Sequence, residues 1–349
     1  MGFSAFRHGP VLALHSDDMT STPFSSIVCP VDFSDHSVRA LRYAIALAGH
    51  FGGRVTVVHV ANPLLVQAAT AAYDIAAMNR DTETQLRALA DEIATEAGAW
   101  APDIRMIISV GDPATEILKG AKEESADLIV MGTHGRSGYR KMFFGSVTER
   151  VLRRSPVPVF AVPASDHERV SFTDEGPRFA FAPILAPTDL SAQSLVNIPV
   201  AHSLSATFGA PLLLVHVIES IPVVGGRHQS IEAHKKTFVA DARERLRTLA
   251  SELARGESVE THLDVGSPAA TIAAVAAERN AGLIVMGLHA GGNTFGRRLG
   301  WVAYGVLCLV KAPVLALPSG IHDSERLSLQ ATDKSVTPEE APLALTHST

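Results

Sequence analysis

The chain contains the same pattern twice, and that repetition restricts its fold more than any other feature. Asp32 and His59 recur as Asp189 and His216 at an offset of 157 residues, and Gly132 recurs as Gly287 at an offset of 155. Between these landmarks the order of apolar run, turn signal and helical pattern is the same in both copies. A tandem duplication of this kind requires two domains of one architecture, and 349 residues are enough for both. The boundaries read from it are a tail over 1–24, a first domain over 25–164, a linker over 165–181, a second domain over 182–318 and a tail over 319–349. Both tails lack periodicity and are expected to be disordered.

Each copy reads as α/β. Short apolar runs, such as residues 27–31, 54–60 and 157–162, alternate with segments whose apolar residues fall at helical spacing. Val38, Leu41, Ile45 and Ala48 share one such face, as do Phe238, Ala242, Leu246 and Leu249. Apolar strands alternating with helices imply a parallel sheet covered on both faces. Five strands per copy predict two Rossmann-like, doubly wound sheets. In such sheets ligands sit beyond the carboxyl ends of the strands, where the strand order reverses. Asp32, Val60 and Gly132 all fall at strand ends, so they are expected to converge on one site.

The first copy carries Gly132, two residues, Gly135, nine residues, then Gly145-Ser146, between a strand and a helix. Glycines there let main-chain N–H groups approach a phosphate. Ser146 is placed at the helix N-cap, and the hydroxyls of Ser146 and Thr148 are read as further donors. Arg136, Arg140 and Lys141 add charge to the intervening loop. In the second copy Ala290, Trp301 and Ala303 replace Gly135, Ser146 and Thr148. The Trp301 indole is expected to occupy the phosphate space, while Gly291 and Gly292 leave room for a shifted loop and a different small ligand.

Other polar residues read as structural. Ser34 and Ser191 are expected to be helix N-caps, and His59 and His216 to be packing or hydrogen-bonding residues. His134 and His289 are open between phosphate and solvent. Arg150, Arg153 and Arg154 read as a solvated helix face. Cys29 and Cys308, each in an apolar run, read as buried thiols. The fifteen histidines lack ligand spacing, so no metal site is expected.

Taken together, Pro30-Val-Asp-Phe-Ser34, His59-Val60, Gly111-Asp-Pro113, the strand ending at Gly132 and the glycine motif ending at Ser146 resemble the universal stress protein family in its tandem form. The resemblance covers about 27–163 and 182–318. It implies strand order 3-2-1-4-5 and pairing of the domains through their fifth strands. It also implies an adenine nucleotide, ATP or else ADP or AMP, contacted by Pro30, Val31, Asp32, Val60, Gly132, His134, Gly135, Gly145, Ser146, Val147 and Thr148. Asp32 would face the base and ribose and the Val60 main chain the adenine edge. The glycines with Ser146, Val147 and Thr148 would surround the ribose and phosphates, and any Mg²⁺ would be held mostly by the phosphates.

The function expected is a stress-response nucleotide sensor. Domain 1 binds, domain 2 serves as a partner domain in an intramolecular pseudo-dimer, and further association into a homodimer stays open. No catalytic residues are expected, since no nucleophile–base arrangement stands out. A slow ATPase and an interaction scaffold with a vestigial pocket remain as alternatives. A net charge of −6 and a pI near 6.2 argue against nucleic-acid or anionic-membrane binding. No run approaches a membrane span, and the two cysteines suit a reducing compartment, so the cytoplasm is expected.

Overall fold

The apolar runs of the first copy become five strands: β1 (Ser26–Pro30), β2 (Arg54–Ala61), β3 (Asp103–Val110), β4 (Leu128–Gly132) and β5 (Val159–Val162). They pair in parallel in the order β3-β2-β1-β4-β5. β8 (Ile184–Pro187), β9 (Leu212–Glu219), β10 (Val259–Gly266), β11 (Leu283–Gly287) and β12 (Val314–Leu317) repeat that order. The fifth strands then join antiparallel, with Val314 opposite Ala161 and Ala316 opposite Val159, and fuse the two sheets into one of ten strands. Two five-stranded, doubly wound sheets with order 3-2-1-4-5, meeting at their fifth strands, are therefore what the chain builds. The computed structural model describes residues 24–61, 63, 66, 75–134, 145–166, 169–219, 228–254, 258–288 and 299–318. Both tails apart from residue 24, together with Gly135, Arg136, Arg140, Lys141 and residues 289–292, lie outside the described residues.

Helices cover both faces because each crossover must return over the sheet. In the first copy these are α1 (Asp35–Phe51), α2 (Ile75–Ala97), α3 (Pro113–Glu123) and α4 (Ser146–Arg154). α1 starts at Ser34, whose hydroxyl accepts from Ser37 N, and stops at Gly52 in the left-handed conformation. Proline opens α3 at Pro113, and again opens α8 (Pro268–Glu278) in the second copy. One core runs through the junction: Val151, Leu152, Val159 and Ala161 belong to the same buried cluster as Val306, Leu307, Val314 and Ala316.

The copies differ where α1 has its counterpart. The second copy has two pieces, α5 (Ala192–Leu195) and α6 (Ile198–Phe208), with Ser191 capping the first. Pro199 is the cause: it has no N–H to give, and its ring collides with the carbonyl four residues back, at Leu195. α7 (His228–Leu253) and α9 (Trp301–Leu309) complete the second copy. On α7, Ala242 and Leu246 are buried as expected, but Phe238 is 59% exposed. The helical spacing it shares with Ala242 and Leu246 therefore does not bring it into the core.

The segment read as a linker folds. β6 (Val170–Thr173) and β7 (Gly176–Phe179) form an antiparallel hairpin against α1. Ahead of it the Asp166 carboxylate, whose side chain is 0% exposed, accepts from the Tyr43 hydroxyl at 2.5 Å and pairs with Arg169. Arg169 also reaches the carbonyl of Lys311, just before β12, at 3.4 Å. The Tyr43 ring lies 5.4 Å from Phe160 and 6.4 Å from Phe181, and Phe181 lies 5.0 Å from Phe208 on α6. The connection is thus a strut with its own buried polar pair and aromatic cluster, touching both copies.

Candidate functional site

In the order 3-2-1-4-5 the strand order reverses between β1 and β4, so the crevice beyond their carboxyl ends is where a ligand site belongs. After β1 the chain turns at Asp32-Phe33-Ser34. Phe33 takes φ 62°, a left-handed value unusual for a residue with a side chain, and its counterpart Leu190 takes φ 59°. Asp32 Oδ1 holds the turn by accepting from the Ser34 N–H at 3.1 Å and the Ser34 hydroxyl at 2.5 Å. Its carboxylate is thereby fixed at the mouth of the crevice, half-buried.

Val31 is buried and its main chain is fully used. Its N–H donates to the Val58 carbonyl at 2.9 Å, and its own carbonyl accepts from His59 Nδ1 at 2.8 Å. His216 makes the same bond to Thr188 in the second copy. Both histidines therefore finish a strand end, as their position suggested, and Val31 and Pro30 serve as the wall that positions Asp32. β2 continues past β1. Val58 turns its carbonyl toward β1 through the Val31 bond, while Ala61 turns its own toward β3 by accepting from Gly111. Alternate residues send their main-chain groups to alternate sides, so Val60 points its N–H and C=O into the lane that β1 has vacated.

At β4 a Cβ on Gly132 would lie 3.0 Å from the carbonyl oxygen of His36, so glycine lets the first turn of α1 close tightly on the strand end. Gly145 returns the loop by donating to the Thr133 carbonyl at 2.9 Å, and Gly300 closes the second copy onto Leu288 in the same way. α4 begins at Ser146 with Gly145 as its N-cap. Ser146 is thus the first helical residue and not the cap. Because Gly145 has no side chain to accept a bond, the N–H groups of Ser146, Val147 and Thr148 receive no side-chain cap from it. An uncapped helix start facing a strand-end crevice suits an anion.

Thr148 departs from its expected role. It is 3% exposed, and its hydroxyl donates to the Gly132 carbonyl at 2.9 Å, so it ties α4 to β4 and is not a donor to a ligand. Ala303 stands at the same place in the second copy without a hydroxyl. Arg150 is also more than a solvated face: it makes a bidentate pair with Asp112, the N-cap of α3, at 2.6 and 2.7 Å. That guanidinium, with the Thr115 hydroxyl, holds the Asp112 carboxyl well below the usual carboxylate range.

The structure brings together Asp32, Val60, Gly132, His134, Gly145, Ser146 and Val147, with Thr148 behind them. It adds His36, which no sequence motif marks: its ring lies 6.0 Å from that of His134. Among the described residues no cluster of three or more His, Cys, Asp or Glu is positioned for a metal, and no helix is long and apolar enough to cross a membrane. Cys29 is wholly buried, and burial pushes its thiol far above its ordinary value; Cys308 is only half-buried, contrary to expectation.

The second crevice differs in two ways. Trp301 is 80% exposed, so its indole stands in solvent and does not fill the phosphate space as expected. The second difference is Asn197, which stands between the two helix pieces ahead of Pro199. Its side-chain nitrogen lies 2.5 Å from where a Cβ on Gly287 would be, over the end of β11.

The sequence profile of the Universal stress protein family matches residues 23–163 and 180–318. A universal stress protein of Methanocaldococcus jannaschii is 34% identical over 141 residues, which span 40% of this chain and 82% of that protein. One of Thermus aquaticus is 35% identical over 141 residues, spanning 40% of this chain and 98% of its own length. A solved universal stress protein from Archaeoglobus fulgidus covers 85% of this chain and 99% of its own at a TM-score of 0.58 and 24% identity, a likeness of fold. With two matched regions accounting for most of its length, the chain belongs to the universal stress protein family and carries that family's domain twice.

Proposed function

We propose that domain 1 binds an adenine nucleotide, ATP or a shorter relative, and that the protein acts as a nucleotide-responsive regulator, with domain 2 as a structural partner. One observation carries this reading: the uncapped start of α4, the close approach at Gly132 and the unused main chain of Val60 all face one crevice. Val60 would read the base edge, Asp32 the ribose hydroxyls, and the N–H groups of Ser146 and Val147 the phosphates. A divalent ion would be held chiefly by phosphate oxygens, because the crevice offers Asp32 and not a carboxylate cluster. The unlike second crevice, with the Asn197 amide over Gly287, supports a single nucleotide per chain.

Mass spectrometry of the nucleotide released from purified protein, with its stoichiometry, tests the proposal. About one per chain is the expected outcome. Two per chain would overturn the reading of domain 2. None, with no rise in melting temperature on adding ATP, would overturn the reading of domain 1. Saturation at a hundred times Kd should stabilise by about 2.7 kcal/mol, a shift of roughly 5 °C for a unit of this size. Release of inorganic phosphate over hours would favour the slow ATPase instead.

A further inference from the structure

His36 lies in the first turn of α1, against the end of β4. Its main-chain carbonyl is the group that Gly132 makes room for, and its ring faces that of His134 at 6.0 Å. His134 is oriented by a 2.9 Å bond between its Nδ1 and the Thr133 hydroxyl, and Thr133 is itself buried. His36 has no such support, since its Nδ1 is buried without a hydrogen bond. The charged groups around it are otherwise engaged or turned to solvent. Asp32 accepts from Ser34, Arg39 donates to the Ala164 carbonyl, Glu149 on α4 is held by Arg153, and Asp35 is exposed. A buried ring nitrogen left unsatisfied beside a ligand crevice calls for an explanation, and a ligand atom that completes it supplies one.

We propose that His36, beside His134, is an anion-reading residue: protonated, it takes a phosphoryl oxygen of the nucleotide bound in domain 1. An anion lying against two imidazoles favours their protonated forms. Phosphate therefore favours the protonated pair, and by linkage protons favour phosphate. The consequence is an affinity for phosphorylated nucleotide that rises as pH falls. The inference rests on the nucleotide reading above. It is specific to domain 1, because the residue at the register of His36 in the second copy is Gln193, which fits the same turn without a titrating group.

The test is calorimetric titration of the full chain, native and His36→Gln, with ATP and with adenosine at about pH 5.8 and about pH 8.0. The quantity compared is the ratio of native to variant affinity at each pH, in which titration of the nucleotide's own phosphate cancels. For ATP the ratio should be near one at the higher pH and about five- to tenfold at the lower. For adenosine it should stay near one at both. His36→Lys, charged throughout, should bind ATP about five- to tenfold more tightly than His36→Gln at both pH values. A ratio for ATP that does not move with pH overturns the proposal, as does an equal rise for adenosine. ATP binding with a flat ratio removes only the role of His36, whereas no binding of either ligand at either pH removes the nucleotide reading together with it.

Discussion

Replacing Asp166 with alanine should loosen the whole molecule, although Asp166 lies outside both crevices. Its side chain is 0% exposed and is the acceptor for the Tyr43 hydroxyl and the Arg169 guanidinium, which is itself only 12% exposed. Without Asp166 a buried cation loses its partner, a change that costs about 3–5 kcal/mol. Tyr43, 1% exposed, loses its acceptor at the same time. At roughly 2 °C per kcal/mol for a unit of this length, the melting temperature should fall by about 6–10 °C. Tyr43→Phe removes only the hydroxyl and leaves Asp166 with Arg169, so its cost should be about 1 kcal/mol. Urea titrations of native protein, both single variants and the double variant close a cycle whose coupling should exceed about 0.5 kcal/mol. Asp166→Ala within 1 kcal/mol of native (~2 °C), or strict additivity in the cycle, would refute the reasoning and make the strut a passive linker.

Thr148→Val keeps the shape of the side chain but removes the donor to the Gly132 carbonyl; a loss of about 1–3 kcal/mol is expected by chemical denaturation. Gly282→Ala would place a Cβ 2.2 Å from the Ala180 carbonyl oxygen, and the enforced main-chain shift should cost about 1–3 kcal/mol, read as a lower melting temperature. The carboxyl of Asp112 is held below its ordinary value by Arg150 and Thr115. A depressed folded-state value gives stability that is present above the unfolded value of about 3.9 and lost as pH falls through the folded one. Arg150→Ala should therefore lower stability slightly at neutral pH, where the pair is charged, and leave it unchanged once Asp112 is protonated, so that the acid limb flattens; high salt should mimic it.

The sheet was legible because buried parallel strands are written as unbroken apolar runs, and a duplication presents each run twice. The strand ends were legible for the same reason, which is why Asp32, Val60 and Gly132 were found together. Four things were not. Residues 170–179 form strands of only four residues each, too short for alternation to stand out, and their partner is the flank of α1 around Tyr43, off the face marked by Leu41 and Ile45. Thr148 looked like a ligand donor because a hydroxyl's direction is not written in the sequence; only the nearness of the Gly132 carbonyl decides it. His36 carried no signal at all, since a histidine in a polar first turn is ordinary until the end of β4 is laid against it. For Trp301 the type of residue suggested a plug, whereas the direction of α9 turns it outward. The break before α6 could have been read from Pro199, an internal proline being a strong local sign.

The antiparallel seam between β5 and β12 has a geometric consequence for the two crevices. Within each half every strand points the same way, so reversing direction at the seam sends the carboxyl ends of one half to one rim of the sheet and those of the other half to the opposite rim. The two mouths open back to back. No single small molecule can bridge them, and neither can donate a side chain to the other. Substitutions accumulating around Asn197 and Trp301 therefore leave the geometry at Asp32 and Gly132 untouched. A doubled chain built on this seam can retire one mouth, or retrain it for another molecule, while the other keeps its occupation.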